Sequence, residues 1–264
     1  MTASKYSFLG GFEGTSNVEA GFKFGIPIVG THAHSFVMSF DNEEDIGANR
    51  HLKGVDILQS SLSYRAKLGW EGTELSELYA FVAYACAFPR RLIALVDSYS
   101  TLHSGVKNFL CVYLALHEIG FNGTDGLPSA YGIRLDSGDL ALLAKESKLL
   151  FKHAAEQTGF DLSHLKVFAS NDINEKVIQD LNAKHHQIDI FGIGTNLVTC
   201  QAQPALGMVY KLVEIKGVPK IKLSDEKEKT TLPGDKQIIR VYKDDEAGVS
   251  RPLCDVLCLT AEVP

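Results

Sequence analysis

No stretch of this sequence is apolar for long enough to span a bilayer. The longest unbroken apolar run, residues 78–88, covers 11 positions, about half of what a membrane-spanning helix needs. The opening residues, Met-Thr-Ala-Ser-Lys-Tyr-Ser-Phe-Leu-Gly-Gly, lack the apolar core of a secretory signal. A cytoplasmic protein with no membrane partner is therefore expected. Cysteine is scarce: five residues, odd in number and scattered. Only Cys254 and Cys258 are close, with no second pair or nearby histidine to complete a zinc site, so reduced thiols are expected. Positive charge is in deficit, with 26 Lys and Arg against 32 Asp and Glu and a net charge of −6. That excludes a basic footprint for nucleic acid, although an anionic small molecule needs only a few local donors. Internal repeats are absent. What is there, 45% hydrophobic and 22% charged residues over 264 positions, is the balance of an ordinary globule, enough for one large α/β domain or two modest ones.

Over residues 1–199, short apolar runs alternate with helical patterns. Strand-like runs end at Gly10-Gly11, Ile28-Val-Gly30, Leu95-Val-Asp97, Ile133-Arg-Leu-Asp136, Val167-Phe-Ala-Ser170 and Ile190-Phe-Gly192. Between them, Ile173, Val177, Ile178 and Leu181 share a helical face behind the cap candidates Asn171 and Asp172. Leu140, Leu143, Ser147, Leu150 and Phe151 form a stripe ended by Gly159; Phe109, Val112, Tyr113 and Leu116 form another ended by Gly120. Six such units predict a parallel sheet, closed into a barrel in preference to an open sheet. The polar stretch 40–73 reads as an excursion on the rim. The texture changes after Leu206, giving residues 1–206 as the α/β barrel and 207–264 as a β-rich segment of a second domain. There Met208-Val-Tyr-Lys-Leu-Val-Glu-Ile215, a Gly217-Val-Pro219 turn and Lys220-Ile-Lys-Leu223 predict a hairpin. Asp225-Glu-Lys-Glu-Lys229 reads as a solvated loop, and residues 237–242 as a strand.

In a parallel α/β fold, chemistry collects at the carboxyl ends of strands. Here those ends are rich in glycine, hydroxyls, carboxylates, one arginine and two histidines, the groups a sugar-phosphate pocket needs. In Gly192-Ile-Gly-Thr195 the glycines let backbone N–H groups approach a phosphate and Thr195 adds a hydroxyl; the same run also suits a tight strand-to-helix turn. Arg134 and Asp136 stand two apart, so on a strand both face one way. The guanidinium suits a carboxylate or phosphate, and the carboxylate suits ribose hydroxyls or a metal-bound water; an internal ion pair is the competing reading. Asp139 reads as a helix cap, and Asp97 as a ribose or metal contact or a cap. His32 and His34 lack a third ligand for a metal site, which leaves proton transfer or covalent phosphate chemistry for a histidine in this setting. His51, His153, His164, His185 and His186 read as surface residues.

The motifs Leu9-Gly-Gly-Phe-Glu-Gly-Thr-Ser-Asn17, Gly25-Ile-Pro-Ile-Val-Gly-Thr-His-Ala-His-Ser-Phe36, Arg134-Leu-Asp-Ser-Gly-Asp-Leu140, Ser170-Asn-Asp-Ile-Asn174, Gly192-Ile-Gly-Thr-Asn-Leu-Val-Thr199 and Leu206-Gly-Met-Val-Tyr-Lys-Leu212 follow one another in an order and spacing that resembles nicotinate phosphoribosyltransferase. The resemblance implies the irregular, TIM-like α/β barrel of type II phosphoribosyltransferases, with a partial second β-rich domain. It implies joining of nicotinate to phosphoribosyl pyrophosphate with ATP hydrolysis, the first step of NAD biosynthesis from nicotinate. By resemblance His34 is the histidine phosphorylated by ATP, Thr31 and Arg134 bind nicotinate, and Asp97 and Asp136 serve the ribose or magnesium side. Thr195, Gly192, Gly194, Ser170 and Asp172 fall to phosphoribosyl pyrophosphate. Mg²⁺ or Mn²⁺ is the implied cofactor, its ligands unassigned, ATP the co-substrate, and a homodimer the full-length assembly. Family members carry a long segment before Tyr6-Ser-Phe-Leu-Gly-Gly11, including an aromatic that stacks on the pyridine across a dimer interface, so the chain is expected to be a fragment. Two rivals stand beside this reading: a sibling transferase for nicotinamide or quinolinate, and a non-catalytic partner-binding remnant.

Overall fold

The computed structural model describes residues 1–124, 126–200, 210–221, 230–246 and 248–262. The chain divides into two units, Met1–Val209 and Tyr210–Pro264. The boundary expected at 206/207 lies outside the described residues.

The first unit opens with helices α1 (Thr2–Leu9), α2 (Val18–Phe24) and the short α3 (His34–Val37). A small hairpin of β1 (His51–Leu52) and β2 (Val55–Asp56) leads into α4 (Ile57–Lys67) and α5 (Leu75–Ala87). Then come β3 (Ile93–Leu95), a single π-turn (Thr101–Gly105) running into α6 (Val106–Glu118), β4 (Gly132–Leu135), α7 (Leu140–Thr158), β5 (Lys166–Ala169), α8 (Glu175–Ala183), β6 (Ile190–Phe191) and α9 (Thr195–Val198). β3 to β6 form one parallel sheet in sequence order. The unit is thus α/β with a parallel sheet, and four of the six expected strands are in it.

The first two expected strands are not. Residues ahead of Gly10-Gly11 form α1, in which Gly10 N–H donates to the Tyr6 carbonyl and Gly11 turns the chain away at φ 105. Paired glycines end a helix as readily as a strand, and the window before them has no clean period of two. Around Ile28 there is only an isolated parallel bridge to Thr15.

The core gathers around α6. Ten of its thirteen residues are buried, because α4, α5 and α7 all pack against it; a helix covered on several sides must be apolar nearly all round. This corrects the rim reading of residues 40–73. Ile57 and Leu58 on α4 are fully buried, Asp56 caps that helix, and buried Arg65 is satisfied by Thr73 and the Glu71 carbonyl. Asp139 caps α7 as expected, through Ala141 and Leu142 N–H, and Gly159 ends it at φ 76. α8 starts later than expected: Asn174 caps it through Val177 N–H, while Asn171 and Asp172 take the left-handed region at φ 82 and 51.

In the second unit a hairpin forms near the expected place but shorter and shifted. β7 (Glu214–Ile215) pairs with β8 (Val218–Pro219), so Val218 and Pro219, expected in the turn, are strand. The turn is Lys216 and Gly217 at φ 51 and 78, both central positions being left-handed as such turns require. Residues 208, 209 and 222–229, including the Asp225 to Lys229 charge run, lie outside the described residues. The strand expected at 237–242 is part of β9 (Lys236–Asp244), antiparallel to β10 (Ser250–Leu259) with a bulge between Pro252 and Cys254. Arg240 and Asp255, directly opposite, pair through two bonds of 2.7 and 2.9 Å. None of the five cysteines forms a disulfide, and no helix among the described residues is long and apolar enough to cross a membrane.

Candidate functional site

β3 is an edge strand, and on its open side the groups that another strand would pair with are taken by side chains. His32 Nε2 accepts from Leu95 N–H at 3.2 Å, and the Thr31 hydroxyl donates to the Ile93 carbonyl. These two bonds replace the strand expected before Gly30 and cover the sheet edge. They also fix the role of His32. Its ring is buried among Phe36, Phe81 and Tyr84, and burial lowers its pKa to about 4, with Arg134 and His34 pushing the same way. His32 is neutral, with its proton on Nδ1; it is a clamp.

Two residues on, the clamp delivers His34 to the start of α3, buried at the carboxyl ends of β3 and β4. Its Nδ1 lies 3.0 Å from Ser98 Oγ. Its Nε2 lies 3.8 Å from Asp97 Oδ1 and 3.9 Å from Asp136 Oδ2. Asp97 follows β3 and accepts from Ser137 at 2.5 Å, while its other oxygen is buried with no hydrogen-bond partner. Asp136 follows β4 and accepts from Ser170, which follows β5. Burial pushes the Asp136 carboxyl up, but His34, Ser170 and Arg134 outweigh it and hold it below the usual carboxylate range. Arg134, on β4, has its Nε buried without a partner. The ends of β3 and β4 thus meet on a single imidazole, with Ser170 after β5 bracing Asp136.

The expected phosphate turn sits at the next strand end. A Cβ on Gly192 would stand 3.5 Å from that of Ser170, placing this glycine beside the cluster. Gly194 has φ −106 and open space around it, so neither a left-handed backbone nor protein packing demands glycine there. Thr195 and Asp172 are exposed, and no hydrogen bond among the described residues joins them to His34, Asp97 or Asp136. α1 packs against α9 beside this turn. His164, expected at the surface, is half-buried and bonded to the Tyr113 hydroxyl at 2.5 Å.

Ser98 and Ser137 carry no motif signal of their own in the sequence, although each stands next to a candidate aspartate. A hydroxyl adjoining a strand-end acid was the available signal. As to a metal, no cluster of three or more His, Cys, Asp or Glu side chains occurs among the described residues. Asp97 and Asp136 form a two-carboxylate set, which suits a hard divalent cation that completes its shell with water and phosphate oxygens.

Comparison with known proteins gives this constellation its context. The chain is 53% identical over 266 aligned residues to nicotinate phosphoribosyltransferase of Dictyostelium discoideum, covering 97% of this chain and 43% of that protein. It is 42% identical to the Homo sapiens nicotinate phosphoribosyltransferase, covering 99% and 49%. It spans about half the length of the curated relatives it matches. The crystal structure of human nicotinic acid phosphoribosyltransferase superposes with a TM-score of 0.64 at 38% identity, covering 100% of this chain and 50% of that one. The sequence model of the nicotinate phosphoribosyltransferase (NAPRTase) family matches residues 118–260, a span that holds Arg134, Asp136, Ser170 and the Gly192–Thr195 turn. With more than half of its residues under that match, the chain belongs to the nicotinate phosphoribosyltransferase family.

Proposed function

We propose that this chain carries a phosphoribosyl-transfer site: nicotinate is joined to phosphoribosyl pyrophosphate, pyrophosphate leaves, and ATP hydrolysis is coupled through His34. The observation that carries this reading is the convergence of His34, Asp97 and Asp136 at the carboxyl ends of adjacent parallel strands. We read the four-stranded sheet as part of an irregular, TIM-like α/β barrel, and the full-length protein as a homodimer.

Arg134 supplies the acid specificity. A guanidinium pairs with a carboxylate through two parallel bonds, and the unpartnered Arg134 Nε supports such a role. Thr31, whose hydroxyl reaches the Ile93 carbonyl, joins Arg134 on the nicotinate side. As the ribosyl carbon gains oxocarbenium character, Asp136 and Asp97 stabilise the positive charge and hold ribose hydroxyls. Ser170, Asp172, Gly192, Gly194 and Thr195 line the phosphate side. Mg²⁺ or Mn²⁺, held by Asp97 and Asp136, would neutralise charge on the departing pyrophosphate.

In the tautomer whose Nδ1–H donates to Ser98, His34 presents the Nε2 lone pair to the γ-phosphorus of ATP. The N–P bond forms, the bond to the bridging oxygen breaks, and ADP leaves with the electron pair. A phosphoryl group beside two carboxylates is a repulsive arrangement, and its later transfer to water can drive nucleotide formation.

Incubation of the chain with labelled nicotinate, phosphoribosyl pyrophosphate and Mg²⁺ is expected to give nicotinate mononucleotide, faster with ATP than without. Equal or better turnover of nicotinamide or quinolinate overturns the acid-specific reading. Stable capture of a full-length family member with no turnover favours the partner-binding alternative.

A further inference from the structure

Glu77 is a carboxyl group fully shut off from water, on a helix that otherwise carries no charge. A buried acid is costly unless its neighbours compensate. Its Oε2 accepts from Ser104 Oγ at 2.5 Å and from Asn108 Nδ2 at 3.1 Å, both donors themselves buried. Ser104 Oγ in turn accepts from Glu74 N–H at 3.0 Å, and Asn108 also donates to the Glu74 carbonyl at 2.8 Å. The network joins the start of α5 to the π-turn and the first turn of α6. Burial lifts the Glu77 carboxyl to about 8 against the opposing pull of Ser104 and Asn108, so at neutral pH it acts mainly as a neutral hydrogen-bonding group. An apolar residue of similar size would fill this volume without the desolvation cost.

What the network holds is the segment that follows β3. The Ser100 carbonyl accepts from both Ser104 and Gly105 N–H, each at 2.9 Å. Gly105 presses so closely on β3 that an added Cβ would lie 2.0 Å from the Val96 carbonyl oxygen. Ser76, next to Glu77, donates to the Tyr99 hydroxyl at 3.2 Å. Residues 97–105 are therefore pinned at several points, and their first two members, Asp97 and Ser98, are the ones that face His34. π-Turns within helices recur at functional sites, and this one lies directly behind the candidate centre.

We infer that Glu77 is a positioning residue: through Ser104 and Asn108 it sets the place of residues 97–105 and so aims Ser98 and Asp97 at His34. The inference rests on the reading of His34 as the reacting group, but its principal test does not depend on turnover. Ring ¹⁵N spectra of the full chain, with His34 assigned by its loss in His34→Ala, report which nitrogen carries the proton. Glu77→Gln keeps an acceptor for Ser104 and is expected to retain the parent His34 pattern. Glu77→Leu is expected to lose it, giving mixed tautomers while cooperative melting persists. The parent pattern in Glu77→Leu overturns the inference and leaves Glu77 a packing residue. Should Glu77→Leu fail to fold, Ser104→Ala decides: the same loss supports the inference, and an unchanged pattern overturns it. In turnover assays Glu77→Leu is expected to lower kcat with little change in KM for nicotinate, and Glu77→Gln to restore it. A parent chain without turnover would count against the proposed function and leave the spectroscopic result standing.

Discussion

The ends of β3 and β6 are built on opposite plans. Behind β3, side chains and backbone are locked to one another: His32 and Thr31 on the strand edge, Ser98 on His34, Ser137 on Asp97, Gly105 against Val96. After β6, Gly192, Gly194 and Thr195 are exposed and Gly194 has open space around it. A reacting histidine needs its ring fixed before substrate arrives. A phosphate contact made by backbone N–H groups needs room for the phosphate. On the function proposed above, the closed end supplies geometry, and the open end supplies space.

Removing His34 should break this division most completely. The chain is expected to take up label from γ-labelled ATP in an acid-labile, base-stable form; His34→Ala abolishes it, while His32→Ala retains some. Label that survives in His34→Ala and vanishes in His32→Ala would reverse the two roles.

A matched pair of glycine substitutions sharpens the contrast. Gly105→Ala drives a methyl into a backbone carbonyl and should cost about 3 kcal/mol in denaturant titration, whereas Gly194→Ala should stay within about 0.5 kcal/mol. Similar losses at both would mean that the two ends are equally packed.

The buried groups of the closed end also titrate in opposite senses. His32 is depressed from 6.5 to about 4, so the folded state binds fewer protons than the unfolded one, and stability falls as pH drops from 6.5 towards 4. Glu77 is raised from 4.5 to about 8, so its contribution is present at low pH and lost as pH rises through 4.5 to 8. Between 4.5 and 6.5 the two slopes cancel; from 6.5 to 8 Glu77 alone should remove about 2 kcal/mol. Glu77→Gln is expected to flatten that alkaline arm in melts taken from pH 6 to 8. An unchanged arm would show that Glu77 does not titrate there.

The smallest effect is expected at Arg134, between the two ends. Arg134→Lys keeps the charge but loses the planar fork, and should weaken nicotinate binding about tenfold with less effect on nicotinamide. Calorimetry with both ligands measures the difference, and equal losses would remove Arg134 from acid recognition.

Much of this was legible along the chain. The runs ending at Asp97, Asp136, Ser170 and Gly192 are apolar, short and closed by polar turns, and each became a strand end. The stripes through Phe109 and Leu140 became α6 and α7. The run before Gly10 reads as a strand and folds as a helix, because in eight residues a helix with no buried face and a strand look alike. The Glu77 network had a local signal too, a lone acid inside an apolar helix, but its partners lie 27 and 31 positions away.

The sequence by itself determined the alternation of elements, the family motifs and the identity of the polar groups at strand ends, because those depend on neighbours within a few residues. Only the tertiary structure decided which groups meet. It made His32 a clamp and left His34 facing two carboxylates, since two histidines in one motif differ only in what lies across the sheet edge. It brought Ser98, 64 positions on, to one nitrogen, and Asp97 and Asp136 to the other. Contacts over such separations are set by the packing of β3 against β4 and of α6 among its neighbours, which no local pattern encodes.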